Sequence, residues 1–356
     1  MNFTLHLTEN CNMDCVYCIH EKHPRRMTED VLHAACELAF SKGKTAGLCF
    51  FGGEPLLEKR LIGIALDHCE FLSHQTGKPF QCKMTTNGTL LDRTFLHHAK
   101  SVGMTIAMSF DGLAQGISRP YADGSSSLAD AERAARLLLE EMPRSYAMMT
   151  LAPQAVGQFA DSVKYLYDLG FRRITATPAY GKRVQWTEEH LGMLEKELTD
   201  ISAFYAKCFS EGKAFYFSPF DAKIRQCIRG ENPADRCHLG QRQMPVNVDG
   251  KIYACTQFIG DKDFCMGDVF GGLDVQKQTA IASRMHVLPE ECRECDLRER
   301  CTNSCGCLNR LETGNEAEVS PMQCAYEKML IRIADTMADA LYEEDAEKFR
   351  KYFAAP

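Results

Sequence analysis

Residues 9–20 read ENCNMDCVYCIH, with Cys11, Cys15 and Cys18 in the spacing C-x3-C-x2-C. Three thiolates on one short loop can hold three irons of a 4Fe–4S cluster, which ordinarily takes four Cys ligands. The fourth iron is then open to a substrate or cofactor, so the spacing points to chemistry at the metal and not simple electron carriage. A zinc knot or three unrelated thiols is the plainer reading of the same residues. The rest of the chain has to decide between them.

Composition narrows the choice. Hydrophobic residues at 45% and charged residues at 25% of 356 positions are ordinary for a soluble globular protein. The net charge of −7 argues against a general nucleic-acid binder. No apolar run approaches the ~20 residues of a membrane span. The opening MNFTLHLTENCN lacks the basic and apolar regions of a signal peptide. A cytosolic location is therefore expected, with neither nucleic acid nor membrane as partner. In a reducing compartment 18 cysteines do not form a disulfide framework, and metal or cluster binding explains them better.

The first half alternates strand-like and helix-like segments, which predicts an α/β fold with a parallel sheet and right-handed crossovers. Strands are expected at Asn2–Thr8, Gly47–Phe51, Phe80–Thr86, Met104–Phe110, Tyr146–Leu151 and Arg173–Pro178. Helices are expected at Thr28–Ser41, Glu58–Thr76, Asp92–Val102, Leu128–Glu141, Val156–Leu169 and Glu188–Ser210. Six strands imply an open, partial barrel, since eight would close one. From Tyr216 the helical periodicity fades, and cysteines crowd between Cys227 and Cys324. A last amphipathic helix is expected at Ala325–Tyr342, followed by a frayed charged tail. The division expected is 1–215 for the barrel and its linking helix, 216–330 for the cysteine-rich part, and 331–356 for the terminal helix and tail.

The second strand runs into Gly52-Gly53-Glu54-Pro55. Glycines let the backbone approach a ligand closely, and the carboxylate beside them can bind an amino group. Alone this turn is a weak signal; one βα unit after a three-Cys loop it is strong. In this pairing the chain resembles the radical S-adenosylmethionine (radical SAM) superfamily, over residues 1 to about 185, with Tyr17 at the aromatic position before the third cysteine. The resemblance implies a partial (β/α)6 TIM-like barrel, Cys11, Cys15 and Cys18 on one 4Fe–4S cluster, and Gly52, Gly53 and Glu54 at the cofactor's methionine end. Thr85-Thr86-Asn87-Gly88 and Ser109-Phe110-Asp111-Gly112 end the third and fourth strands, where barrel residues face the active site. Asn87 and Ser109 are therefore candidate cofactor contacts, although Asn-Gly and Asp-Gly also simply form turns.

The C-terminal cysteines carry a second pattern. Cys237 precedes Gly250 and Cys255, and then come Cys292-x2-Cys295-x5-Cys301-x3-Cys305 and Cys324. This is similar to the SPASM extension of radical SAM enzymes, which implies two auxiliary 4Fe–4S clusters and three clusters in all. By that resemblance Cys237, Cys255 and Cys305 serve the first, and Cys292, Cys295, Cys301 and Cys324 the second. Cys227, ten residues before Cys237, is the expected fourth ligand of the first cluster. Cys307 competes with Cys305, and spacing favours Cys305. Cys36, Cys49, Cys69, Cys82 and Cys208 read as small buried hydrophobes.

SPASM proteins mostly modify peptides or proteins. Anaerobic sulfatase maturases form formylglycine with the help of an Asp directly after the cysteine that here is Cys255. This chain has Thr256 there, and Thr is no base near neutral pH. The resemblance thus implies a maturase that crosslinks a ribosomally made precursor peptide by thioether or carbon–carbon bonds, fed by an electron donor such as flavodoxin or ferredoxin. Leader recognition is expected from a separate leader-binding protein or from the barrel and extension surfaces. Sulfatase maturation is the alternative, with epimerase, small-molecule dehydrogenase and non-catalytic zinc scaffold behind it. Asp221, in FSPFDAKI, is the candidate catalytic carboxylate, with a helix N-cap as its plainer role.

Overall fold

The architecture comes from a computed structural model that describes residues 1–181, 183–230, 238–284, 290–302 and 305–354. The first half runs β1 (Asn2–His6), α1 (Glu29–Ser41), β2 (Ala46–Phe51), α2 (Lys59–Thr76), β3 (Phe80–Thr86), α3 (Arg93–Ser101), β4 (Thr105–Ser109), the single turn α4 (Gln115–Ser118), α5 (Leu128–Glu141), β5 (Tyr146–Leu151), α6 (Phe159–Leu169) and β6 (Arg173–Pro178). The second half runs α7 (Glu188–Ser210), β7 (Tyr216–Phe217), α8 (Ser218–Arg229), β8 (Met244–Val246), β9 (Lys251–Tyr253), β10 (Cys265–Asp268), β11 (Gly272–Leu273), α9 (Val275–Arg284), α10 (Glu290–Arg293), α11 (Gly306–Thr313), α12 (Pro321–Glu344) and α13 (Ala346–Phe353).

Local chemistry explains the boundaries. Thr28 caps α1 by accepting the Val31 N–H, and Asp92 caps α3 by accepting the Phe95 N–H. Gly170 ends α6 with φ at 118°, a left-handed value that favours glycine. The apolar stripe Val31, Leu32, Ala35, Cys36, Ala39 and Phe40 buries α1 against the sheet.

The strands form one sheet in the order β11-β10-β9-β8-β1-β2-β3-β4-β5-β6-β7 among the described residues. Every pair from β1 to β7 is parallel, with Phe3 opposite Leu48 and Leu48 opposite Cys82. Strand alternation divides the side chains between two faces. Phe50, Met84 and Met108 join the core, whereas Phe51, Thr85 and Ser109 turn to a cavity. This is the α/β, partial-barrel fold expected from the sequence.

Three expectations need correction. Helical structure does not stop at Tyr216, because α8 follows at once with Phe220 and Ile224 buried. Helix α12 begins at Pro321, capped by Ser320, and not at Ala325. The charged tail is folded: α13 buries Phe349 and Phe353, and Arg225 donates to the Tyr352 and Phe353 carbonyls. The sheet also continues across residue 215. Strand β7 pairs with β6, and β8 pairs in parallel with β1 before β9, β10 and β11 follow antiparallel.

Candidate active site

Cys11, Cys15 and Cys18 lie on the loop after β1, and that loop is held by backbone bonds. Asp14 N–H donates to Pro120 O at 2.7 Å and Val16 N–H to Ser118 O at 3.0 Å, while Met13 bridges Tyr121. On its other flank the turn after β2 runs alongside: Gly53 N–H donates to Thr8 O and Glu54 N–H to Asn10 O. A Cβ at Gly53 would stand 2.0 Å from the Asn10 oxygen, and one at Gly52 would stand 2.4 Å from the Thr8 oxygen. Both glycines are thus required by backbone-on-backbone contact with the cysteine loop.

Side chains complete the mounting. Tyr17 Oη donates to Asp111 Oδ2 at 2.8 Å. Arg119 grips the same carboxylate through Nε at 2.8 Å and through a terminal nitrogen at 3.0 Å, and the Thr150 N–H adds a fourth donor. Burial works against the Arg119 charge, but Asp111 and Tyr17 outweigh it and push its pKa up. Asn87 donates to Asn12 Oδ1 at 2.8 Å, tying the end of β3 to the loop.

Glu54 is 1% exposed. Its Oε1 accepts from Leu56 N–H and Thr86 Oγ1, and its Oε2 accepts from Asn87 N–H at 2.8 Å. Burial raises its pKa above the ordinary carboxylate value, against the pull of those donors. One lone pair of Oε2 is left over by this arrangement.

A cavity of about 620 Å³ collects these groups. It is lined by Cys11, Cys15, Tyr17 and Cys18, by Gly52, Gly53 and Glu54, and by Asn87 and Ser109. Cys305 and Cys307 line it too, so both cysteine sets open onto one chamber. Three thiols on one wall with a glycine backbone pressed beside Cys11 suit a 4Fe–4S cluster held at three irons. Among the described residues no three His, Cys, Asp or Glu side chains stand together as a single-ion site.

The other candidates fall elsewhere. Asp221 does not line the cavity: it is fully buried in the first turn of α8, where Oδ2 accepts the Phe217 N–H at 2.9 Å and the Tyr205 hydroxyl at 3.1 Å. Its assignment as a catalytic carboxylate is therefore corrected to a helix-start role. Cys227 is exposed on the last turn of α8. Cys292 lies on α10, with Cys295 in the turn after it, Cys301 just past the turn Arg298–Arg300 and Cys324 in the first turn of α12. Cys237 lies outside the described residues. Cys36, Cys69, Cys82 and Cys208 are core atoms as expected, while Cys49 is only half-buried.

Sequence reading missed the pair Asp111 and Arg119, Gln257 in the cavity wall, and a buried pair behind Cys301. In that pair Lys223 Nζ meets Glu327 at 2.6 Å and donates to Arg300 O, and Glu327 accepts from the N–H and hydroxyl of Thr302. Asp111 was visible only as half of an Asp-Gly turn.

Comparison with known proteins agrees with the geometry. Residues 5–181 match the Radical SAM superfamily. The cysteine-type anaerobic sulfatase-maturating enzyme of Clostridium perfringens is 21% identical over 84% of this chain and 86% of its own length. The PqqA peptide cyclase of Gluconobacter oxydans is 21% identical over 99% of this chain and 98% of its own. The structure of native anSMEcpe with bound AdoMet superposes with a TM-score of 0.83 at 17% identity, covering 96% of this chain and all of that one, a likeness of fold. No helix among the described residues is long and apolar enough to cross a membrane. Members of the matched superfamily bind S-adenosylmethionine and a 4Fe–4S cluster. With that match, the three-Cys loop and the glycine turn beside it, the chain belongs to the radical SAM superfamily.

Proposed function

We propose that this protein is a radical SAM peptide maturase that oxidatively crosslinks a ribosomally made precursor, with its C-terminal cysteines holding two auxiliary 4Fe–4S clusters. The carrying observation is the shared chamber. Cys11, Cys15 and Cys18 form one part of its wall, and Cys305 and Cys307 form another. When bound, the cluster on the first loop supplies one electron to S-adenosylmethionine and so a 5′-deoxyadenosyl radical able to abstract hydrogen. The chain's own residues then orient and shield. Glu54 receives the cofactor's amine on Oε2, Gly52 and Gly53 keep that end of the site narrow, and Asn87 and Ser109 bound the chamber beyond it. Closing a thioether or carbon–carbon bond takes one hydrogen atom into 5′-deoxyadenosine and releases one proton and one electron. The auxiliary clusters proposed for the C-terminal cysteines would accept that electron.

The relatives' names support a peptide or protein substrate. Formylglycine formation is less well supported, because it needs a base. The described carboxylates lining the cavity are Glu9 and Glu54. Glu9 is paired with Arg25 at 2.6 Å, and Glu54 lies beneath three donors. After Cys255 it is Gln257 that reaches the cavity. A flavodoxin- or ferredoxin-type donor and a separate leader-binding protein are the proposed partners.

The test is anaerobic co-expression with short Cys-rich or aromatic-rich peptides encoded beside the gene, followed by mass spectrometry. The expected product has lost about 2 Da per crosslink, for the two hydrogens removed. In parallel, a sulfatase-type peptide bearing Cys or Ser should give 5′-deoxyadenosine and no aldehyde. A hydrazine-trapped aldehyde on that peptide would replace this reading with sulfatase maturation.

A further inference from the structure

We propose that Cys307 is a ligand of the first auxiliary cluster beside Cys255 and Cys305, and that Cys227 is not; the inference rests on the auxiliary-cluster reading above. Cys305 is the N-cap of α11, and Cys307 stands two residues on, in its first turn. Their Sγ atoms are 3.6 Å apart. Cys255, which precedes the turn Thr256–Phe258, neighbours the Cys307 thiol closely enough for each to act on the other's charge. Thiols from two separate chain segments thus meet at one place, and Cys305 and Cys307 open from it onto the chamber.

One feature makes the Cys-Gly-Cys unit suited to this. Gly306 is buried between the two cysteines, so the chain turns into the helix with no side chain to separate them.

Cys227 is placed differently. It is exposed, belongs to α8 and acts electrostatically on Arg300, the neighbour of Cys301. It does not line the chamber. A third protein thiolate at the first auxiliary cluster leaves at most one of its irons for a substrate thiol. The cluster then acts mainly as an acceptor of the electron that crosslinking releases.

The experiment uses full-length protein reconstituted anaerobically with Cys11, Cys15 and Cys18 all changed to Ala, so that only auxiliary clusters are counted. The parent should carry about 8 irons and the electron paramagnetic resonance signals of two reduced clusters. Adding Cys307→Ala should remove about 4 irons or convert one signal to that of an incomplete cluster. Adding Cys227→Ala should change neither. Cys307→Ser guards against a merely structural loss, because an oxygen ligand should retain iron with a shifted signal. Alkylation of the iron-loaded parent gives an independent readout: Cys227 should be labelled at once and Cys307 only after iron is chelated. A parent with no more than about 1 iron would refute the auxiliary-cluster reading itself. A parent with about 8 irons, an unaltered Cys307→Ala variant and immediate labelling of Cys307 would overturn this inference alone.

Discussion

Behind Cys11, Cys15 and Cys18 stands the buried pair Asp111–Arg119, and behind Cys301 stands the buried pair Lys223–Glu327. The first joins residues eight apart in sequence, and its carboxylate receives four donors, a full complement for two oxygens. The second joins α8 to α12 across 104 residues, and its carboxylate receives three donors. The first cysteine loop is held by main-chain bonds even without its ion pair. The Cys301 segment is held largely by side chains: Lys223 on Arg300 O, Glu327 on Thr302, and Gln323 on Thr302 O. One site is a piece of preformed backbone; the other is suspended from two helices.

That contrast can be broken most directly at the ion pairs. Asp111→Asn and Glu327→Gln each leave a buried cation without its counter-charge, at a cost of about 3–5 kcal/mol. Denaturant unfolding should show similar losses for both. Iron content should separate them, with Glu327→Gln losing C-terminal iron and Asp111→Asn keeping iron on the first loop. Equal iron loss at both sites would remove the distinction between the two mountings.

Glu54 sharpens the same point on a smaller scale. Two of its three donors are backbone N–H groups, and Glu54→Gln turns one of the two acceptor oxygens into a donor while removing the charge proposed to meet the cofactor amine. Binding of S-adenosylmethionine should weaken by about 1.5–3 kcal/mol, the usual worth of a hydrogen bond to a charged group. Unchanged affinity in an anaerobic titration would make the glycine turn a structural element only.

Asp221 offers the smallest effect and the clearest sign. Asp111 has four donors, whereas Asp221 has two on Oδ2, and its Oδ1 has no hydrogen-bond partner among the described residues. Burial raises its pKa to about 6, from an ordinary 3.8. A carboxyl whose folded pKa is raised contributes stability that is fully present below its unfolded pKa and is lost as pH rises through the folded one. Wild type should therefore lose on the order of 2 kcal/mol between about pH 4 and pH 7 from this group, and Asp221→Asn should flatten that slope. An identical pH profile in the variant would show that Asp221 stays ionised in the folded protein.

Legibility in the sequence followed the range of the interactions. Strands β3, β5 and β6 begin and end where expected, because every second residue of each is buried and that alternation is written in the sequence. Thr28 and Asp92 announced their helices, since a cap acts within three residues. Helix α13 was obscured by Glu347, Lys348, Arg350 and Lys351, although Phe349 and Phe353 stand at i and i+4. The cysteine loop and glycine turn were legible as a spacing, but the Asp111–Arg119 mounting was not. An arginine in a loop gives no sign that it will be 7% exposed against a carboxylate. Lys223 and Glu327 have no local signal at all, because only the packing of α8 on α12 brings them together.

The parallel pairing of β8 with β1 has a consequence in time. Phe3 lies opposite Met244, so the outer edge of the first strand has its partner some 240 residues later in the chain. During synthesis at about 5–20 residues per second, that edge waits roughly 12–50 s for Met244–Val246 to emerge. An unpaired strand edge is a template for pairing with other chains. The barrel therefore passes through a stage, on every ribosome, in which its first strand is exposed to neighbours. Slowing translation between β6 and β8 should lower the soluble yield before it alters any property of the finished protein.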